Sequence, residues 1–128
     1  MILDTSAILA ILFVEAEQEE FVRKIDDEPV VGVGAPTLAE TATVLASRRG
    51  EAAVNDIQDF VVRSGLVVIA FDLRHWKAAG EASRRYGRGR HPARLNFGDC
   101  LAYATARIAD EPLLCKSDDF AKTDLVLA

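Results

Sequence analysis

The chain has 128 residues, half of them hydrophobic and 27% charged, with a formal net charge of −5. This length fits one ordinary domain, and the composition excludes a disordered tail. Net acidity excludes nucleic-acid binding through overall charge, so any such role must rest on a local patch.

The opening run MILDTSAILAILFV is apolar, but Asp4 interrupts it, no basic residue precedes it and Glu15 ends it. It reads as core, not as a signal peptide or a membrane span. Met1–Asp4 is a short strand, Ser6–Phe13 a short helix and Glu15–Asp26 an amphipathic helix with Phe21, Val22 and Ile25 on one face. Val30–Val33 is a β-branched strand. Pro36 suits the first turn of a helix over 36–49 that ends at Gly50. Glu51–Ser64 is helical by the spacing of Val54, Ile57, Phe60 and Val61. Leu66–Phe71 is a continuous apolar strand of the kind buried in parallel sheets. Leu73–Tyr86 is helical, Gly87–Leu95 is a loop, and Asn96 caps a helix running to Ala109. Leu113–Cys115 is a strand, and Asp124–Ala128 a last short one.

No linker or repeat divides the chain, so residues 1–128 form a single domain. Strands alternating with helical segments predict an α/β fold, a parallel sheet of four to five strands between helices. Ligands of such sheets sit beyond the carboxyl ends of the strands.

Acidic residues fall at those ends. Asp4 follows the first strand. Glu40 is the only charged residue between Glu28 and Arg48. Asp99 opens an apolar helix, and Asp118 and Asp119 follow the last long strand. Each has an ordinary explanation: a helix N-cap for Asp4, a solvated helix position for Glu40, an Asn-x-x-Asp capping box for Asp99, a turn for the Asp pair. Gathered at one edge, however, two carboxylates about 4 Å apart repel by roughly 4 kcal/mol at an effective dielectric of 20. A divalent cation reverses that cost, and all-oxygen donors suit Mg²⁺ or Mn²⁺ better than zinc. A receiver-like signalling module would need an acid pair after the first strand, and a phosphatase an Asp-x-Asp. Asp4-Thr5-Ser6 supplies neither.

The stretches Ile2-Leu3-Asp4-Thr5-Ser6-Ala7, Pro36-Thr37-Leu38-Ala39-Glu40-Thr41, Leu95-Asn96-Phe97-Gly98-Asp99-Cys100 and Pro112 to Phe120, with Thr123-Asp124 after them, resemble PIN-domain toxins of the VapC type along essentially the whole chain. The resemblance implies the PIN-like three-layer fold and Mg²⁺- or Mn²⁺-dependent endoribonuclease activity leaving a 5′-phosphate and a 3′-hydroxyl. It also implies a VapB-type antitoxin partner, a homodimer and a larger toxin–antitoxin assembly. Asp4, Glu40 and Asp99 match the family's first three acids. Many members carry the fourth where this chain has Ser117; Asp119 then stands as the fourth, with Asp118 the alternative. Asp4 and Asp99 would ligate the ion, while Thr5 or Ser6 orients a ligand. A degenerate PIN module serving only as a binding partner is the rival that the intact acids oppose.

Five arginines and one histidine, with no acid, lie between Arg84 and Arg94. Arg84, Arg85, Arg88, Arg90, His91 and Arg94 read as a phosphate-tracking patch for RNA, with Tyr86 and His91 stacking on bases and Gly87 and Gly89 making the loop mobile. The substrate would be a transfer or ribosomal RNA. His75 and Trp76 read as packing or interface residues. The apolar faces of helices 15–26 and 36–49 are the candidate dimer surfaces. Cys100 and Cys115 read as buried, reduced thiols of a cytoplasmic protein.

Overall fold

The computed structural model describes residues 1–128. Four short strands, β1 (Ile2–Leu3), β2 (Gly32–Gly34), β3 (Val67–Ile69) and β4 (Leu113–Leu114), form one sheet in the order β3-β2-β1-β4. All three pairings are parallel, as the alternation of strands and helices predicts. Each crossover carries two helices: α1 (Thr5–Leu12) and α2 (Gln18–Asp27), then α3 (Ala35–Arg49) and α4 (Ala52–Arg63), then α5 (Leu73–Tyr86) and α6 (Phe97–Ala109). After β4 a short 3-10 turn (Phe120–Lys122) leads to Leu127, which makes an isolated parallel bridge to Leu113. The expected strand over 124–128 is thus reduced to one bridge.

Strand pleating sorts the core into two halves. Leu3, Val33 and Leu114 meet Ile8, Phe21, Ile25 and Phe60 from α1, α2 and α4 on one face. Ile2 and Leu113 meet Ala82, Tyr103 and Phe120 on the other, beneath α5 and α6. Burying a side chain such as Leu3 or Ile8 contributes about 1.5–3 kcal/mol. Helix α3 packs on α1, α4 and α6 and so joins the two helical layers.

Glycine in β2 draws α6 close. A Cβ on Gly34 would stand 2.7 Å from Thr105 Oγ1 of α6, and one on Gly32 would stand 2.9 Å from Ile2 Cδ1. Gly34 therefore serves helix–sheet packing, while Gly32 makes room for the side chains of Ile2 and Ile69 on the adjacent strands.

Two expectations are corrected. β3 is not a buried strand but the sheet edge, with Val67 51% and Val68 48% exposed. Strand order follows from long-range packing, which an apolar run does not encode. The apolar faces of α2 and α3 are also largely taken up within the chain, although Val22 of the α2 face stays 38% exposed. Phe21, Ile25 and Leu45 are buried in the chain's own core, and Leu38 packs against it.

Candidate active site

At the end of β1 the chain turns into α1 with Asp4 as N-cap. Its carboxylate accepts from Ser6 N at 3.0 Å and from the Ser6 hydroxyl. Ser6 Oγ in turn accepts from Lys116 N at 3.0 Å, just past the end of β4. One hydroxyl thus couples the ends of two adjacent strands. Capping falls to Asp4 itself, not to Thr5 or Ser6. Asp4 is nonetheless only 4% exposed. Burial pushes its carboxyl above the ordinary 3.8, the Ser6 hydrogen bonds oppose the rise, and the Glu40 charge adds to it.

Glu40 lies on α3, with its Oε2 accepting from Thr5 Oγ1 at 2.7 Å. Its carboxylate lies against the backbone of Gly98, where a Cβ would overlap both carboxyl oxygens. Gly98 is a functional candidate that the sequence reading passed over. It has no positive φ, so no turn geometry explains it. The available signal was a glycine in the first turn of an apolar helix, beside a candidate acid.

Asp99 completes a reciprocal capping box. Its Oδ2 accepts from Asn96 N at 2.8 Å, and Asn96 Oδ1 accepts from Asp99 N at 3.0 Å. The capping explanation is realised here too, yet it engages one carboxylate oxygen only. Burial raises the Asp99 carboxyl, the Asn96 amide opposes the rise, the charges of Asp4 and Asp119 add to it, and Arg88 lowers it. Asp119 sits at the start of the 3-10 turn with its amide bonded to Ser117 Oγ at 3.1 Å. Asp118 is exposed. The charge of Asp119 adds to the rise at Asp99, and that of Asp118 adds to the rise at Cys115.

None of Asp4, Glu40 and Asp99 takes part in an ion pair. The four acids do not form a ready-made cage: no three His, Cys, Asp or Glu side chains stand at metal-ligand spacing. The reason is local, since Asp4 is bound to Ser6, Glu40 to Thr5 and Asp99 to its own cap. The donor set still fits a hard divalent cation. It is all oxygen, it contains a buried carboxylate with no cationic partner, and its members repel one another. Cys115 lies in the same field: burial, then Asp4 and Asp99, push its thiol up to about 12. Burial pushes Cys100 up to about 11, so both free thiols are inert near neutrality.

The basic segment divides. Arg84, Arg88, Arg90 and Arg94 are exposed and have no acidic partner. Arg85 is engaged elsewhere, facing Asp124 at 3.5 Å and lying over the Tyr86 ring. Tyr86 is buried, which removes it as a base-stacking surface. His91 sits edge-on to Tyr86, and its Nδ1 accepts from Ala93 N at 3.1 Å. The loop is also more closed than two glycines suggest. Leu95 N donates to Tyr86 O, and Arg90 N and His91 N both donate to Gly87 O. His75 is buried as expected, but Trp76 is 63% exposed.

A PIN-domain family model matches residues 1–125. The chain belongs to the PIN-domain family. Among PIN proteins it is 40% identical over 125 residues to a ribonuclease VapC of Mycolicibacterium smegmatis, covering 98% of this chain and 97% of that one. It is 41% identical over 128 residues to ribonuclease VapC36 of Mycobacterium tuberculosis, covering 98% and 91%. These relatives put it with the VapC-type PIN ribonucleases. Its fold matches Mycobacterium tuberculosis VapC20, a sarcin–ricin loop cleaving toxin, with a TM-score of 0.80 at 22% identity over 99% of this chain and 97% of that one. It also matches the Rickettsia felis VapBC2 structure, solved on a promoter DNA fragment, with a TM-score of 0.75 at 17% identity over 99% and 96%. The PIN-like three-layer architecture expected from the motifs is therefore present. No helix is long and apolar enough to cross a membrane.

Proposed function

We propose that this PIN protein is a Mg²⁺- or Mn²⁺-dependent endoribonuclease and the toxin of a toxin–antitoxin pair. The observation that carries the reading is the mutual repulsion of Asp4, Glu40, Asp99 and Asp119 at the carboxyl edge of a parallel sheet, with no ion pair to Asp4, Glu40 or Asp99. The relatives named ribonucleases and the solved toxin–antitoxin neighbours support it.

Asp4 and Asp99 would hold the ion, with Glu40 and Asp119 as further ligands, directly or through water. A hard divalent cation at such a site supplies an acidified water and neutralises charge on the phosphate. The chain does the positioning. Thr5 fixes Glu40 Oε2 and leaves Oε1 to orient the incoming water or take its proton. The capping box fixes Asp99, and Ser6 fixes Asp4 against the end of β4. Arg88 and its unpaired neighbours track the RNA phosphates beside the acids. The substrate is RNA with exposed, unpaired nucleotides, a class that includes loops of transfer and ribosomal RNA. The partner is a VapB-type antitoxin, the protein acts as a homodimer, and its site of action is the cytoplasm.

The purified chain, freed of antitoxin, should cleave RNA with Mg²⁺ or Mn²⁺ and stop in EDTA. Sequenced ends should carry a 5′-phosphate and a 3′-hydroxyl. Cleavage by Asp4→Ala or Asp99→Asn at the wild-type rate overturns the assignment.

A further inference from the structure

Beside the acids runs an apolar groove of about 680 Å³ whose walls include Trp76, Phe97, Leu101, Arg88 and Arg90. Trp76 is 63% and Phe97 80% exposed, so both large aromatic faces are open to a ligand. No acid lines the groove, and its two arginines have no acidic partner, in a chain whose net charge is −5. The groove reaches the acidic site through the first turn of α6. Phe97 and Asn96 line it, Gly98 holds Glu40, and Asp99 follows. Phe97, with Phe71 and Leu101, also borders a second hollow that Glu40 and Gly98 line, so the groove and that hollow share a wall.

We propose that this groove is the subsite for an unpaired nucleobase next to the scissile phosphate, with the base against Trp76 and Phe97 and its phosphate on Arg88 and Arg90. The inference rests on the ribonuclease reading and adds what that reading lacks, a surface that grips a base. Volume and chemistry both fit: small-molecule sites span about 300–1,000 Å³ with apolar walls and a few polar groups. Aromatic faces bind any base by stacking, and arginine supplies the phosphate contact. A protein segment would also find apolar walls here. Two arginines without an acid, continuous with a phosphate-cleaving site, favour the nucleotide.

Trp76 is the only tryptophan of the chain, so its fluorescence reports this groove alone. The whole protein in EDTA is titrated with a short single-stranded RNA and with the same strand lacking bases. The RNA should quench Trp76 and the abasic strand should not. Phe97→Ala should raise Kd, and KM in the presence of Mg²⁺, by about tenfold, from the loss of one stack. Phe97→Tyr should restore both. Because Phe97 is exposed, the alanine variant should melt like the wild type. Equal quenching by the abasic strand, or an unchanged KM in Phe97→Ala, overturns the subsite while leaving the ribonuclease reading intact. Quenching by the antitoxin but not by RNA also overturns it and makes the groove a protein-docking face. An intact protein that never cleaves RNA with either metal refutes the underlying reading instead.

Discussion

The carboxylate of Glu40 lies against Gly98 of α6, occupying the space that any side chain at position 98 would need. Gly98→Ala should therefore displace Glu40 from its place at the sheet edge. The clash falls on the far end of a flexible side chain, and alanine is the better helix former, so stability should hold or rise by up to about 1 kcal/mol. RNA cleavage should fall at least tenfold. Melting curves and initial rates on the same preparation check this. An active Gly98→Ala enzyme would show that Glu40 does not need its present position.

The surroundings of Asp4 and Asp99 both raise the carboxyl above its ordinary value. Burial, and the charges of Glu40 on Asp4 and of Asp4 and Asp119 on Asp99, disfavour the charged forms. A carboxyl raised in the folded state makes the native protein less stable once pH exceeds that raised value. Asn keeps the hydrogen-bonding oxygen of either cap and removes the charge. In EDTA at neutral pH, Asp4→Asn and Asp99→Asn should each raise the melting temperature while abolishing cleavage. Mg²⁺ should then stabilise the wild type, by about 2.7 kcal/mol at a hundredfold excess over Kd, and the variants much less. Thermal melts with and without Mg²⁺ provide the measurement.

Arg88 and Arg90 are the two unpaired arginines of the basic segment that line the groove beside the acids, whereas Arg85 is held by Asp124 and Tyr86. Replacing Arg88 and Arg90 by Gln should weaken RNA binding. It should also lower the slope of log K against log salt by about 0.7 per lost charge, the value for single strands. Arg85→Gln should leave that slope unchanged. Binding isotherms across a salt series separate the two outcomes.

Tyr103 Oη donates to Asp124 Oδ1 at 2.7 Å, tying the C-terminal segment to α6. This bond is the leading cause that lowers the Asp124 carboxyl below 3.8. A depressed carboxyl contributes stability above its unfolded value, and the contribution is lost as pH falls through the lower folded value. Tyr103→Phe should cost about 1 kcal/mol at neutral pH, a bond to a charged group discounted for the partly exposed Asp124. It should flatten the acid limb of the stability curve below about pH 4 and leave cleavage unchanged. Denaturant melts from pH 2 to 7 test it.

Much of this protein was legible in its sequence. The helix boundaries of α5 and α6, the parallel sheet and the capping role of Asn96 follow from local rules: hydrophobic period, cap chemistry and strand–helix alternation. The acids were visible as candidates because each lies at a strand end or a helix start. Tertiary structure decided what local pattern does not carry. It made β3 an edge, spent most of the apolar faces of α2 and α3 inside the core, buried Tyr86 and left Trp76 and Phe97 in the open. It also brought the charge of Asp119 to bear on Asp99 and set Gly98 under Glu40. These are contacts between residues distant in the chain or choices between adjacent ones. They are fixed by how helices close over the sheet, so their physical cause exists only once the chain is folded.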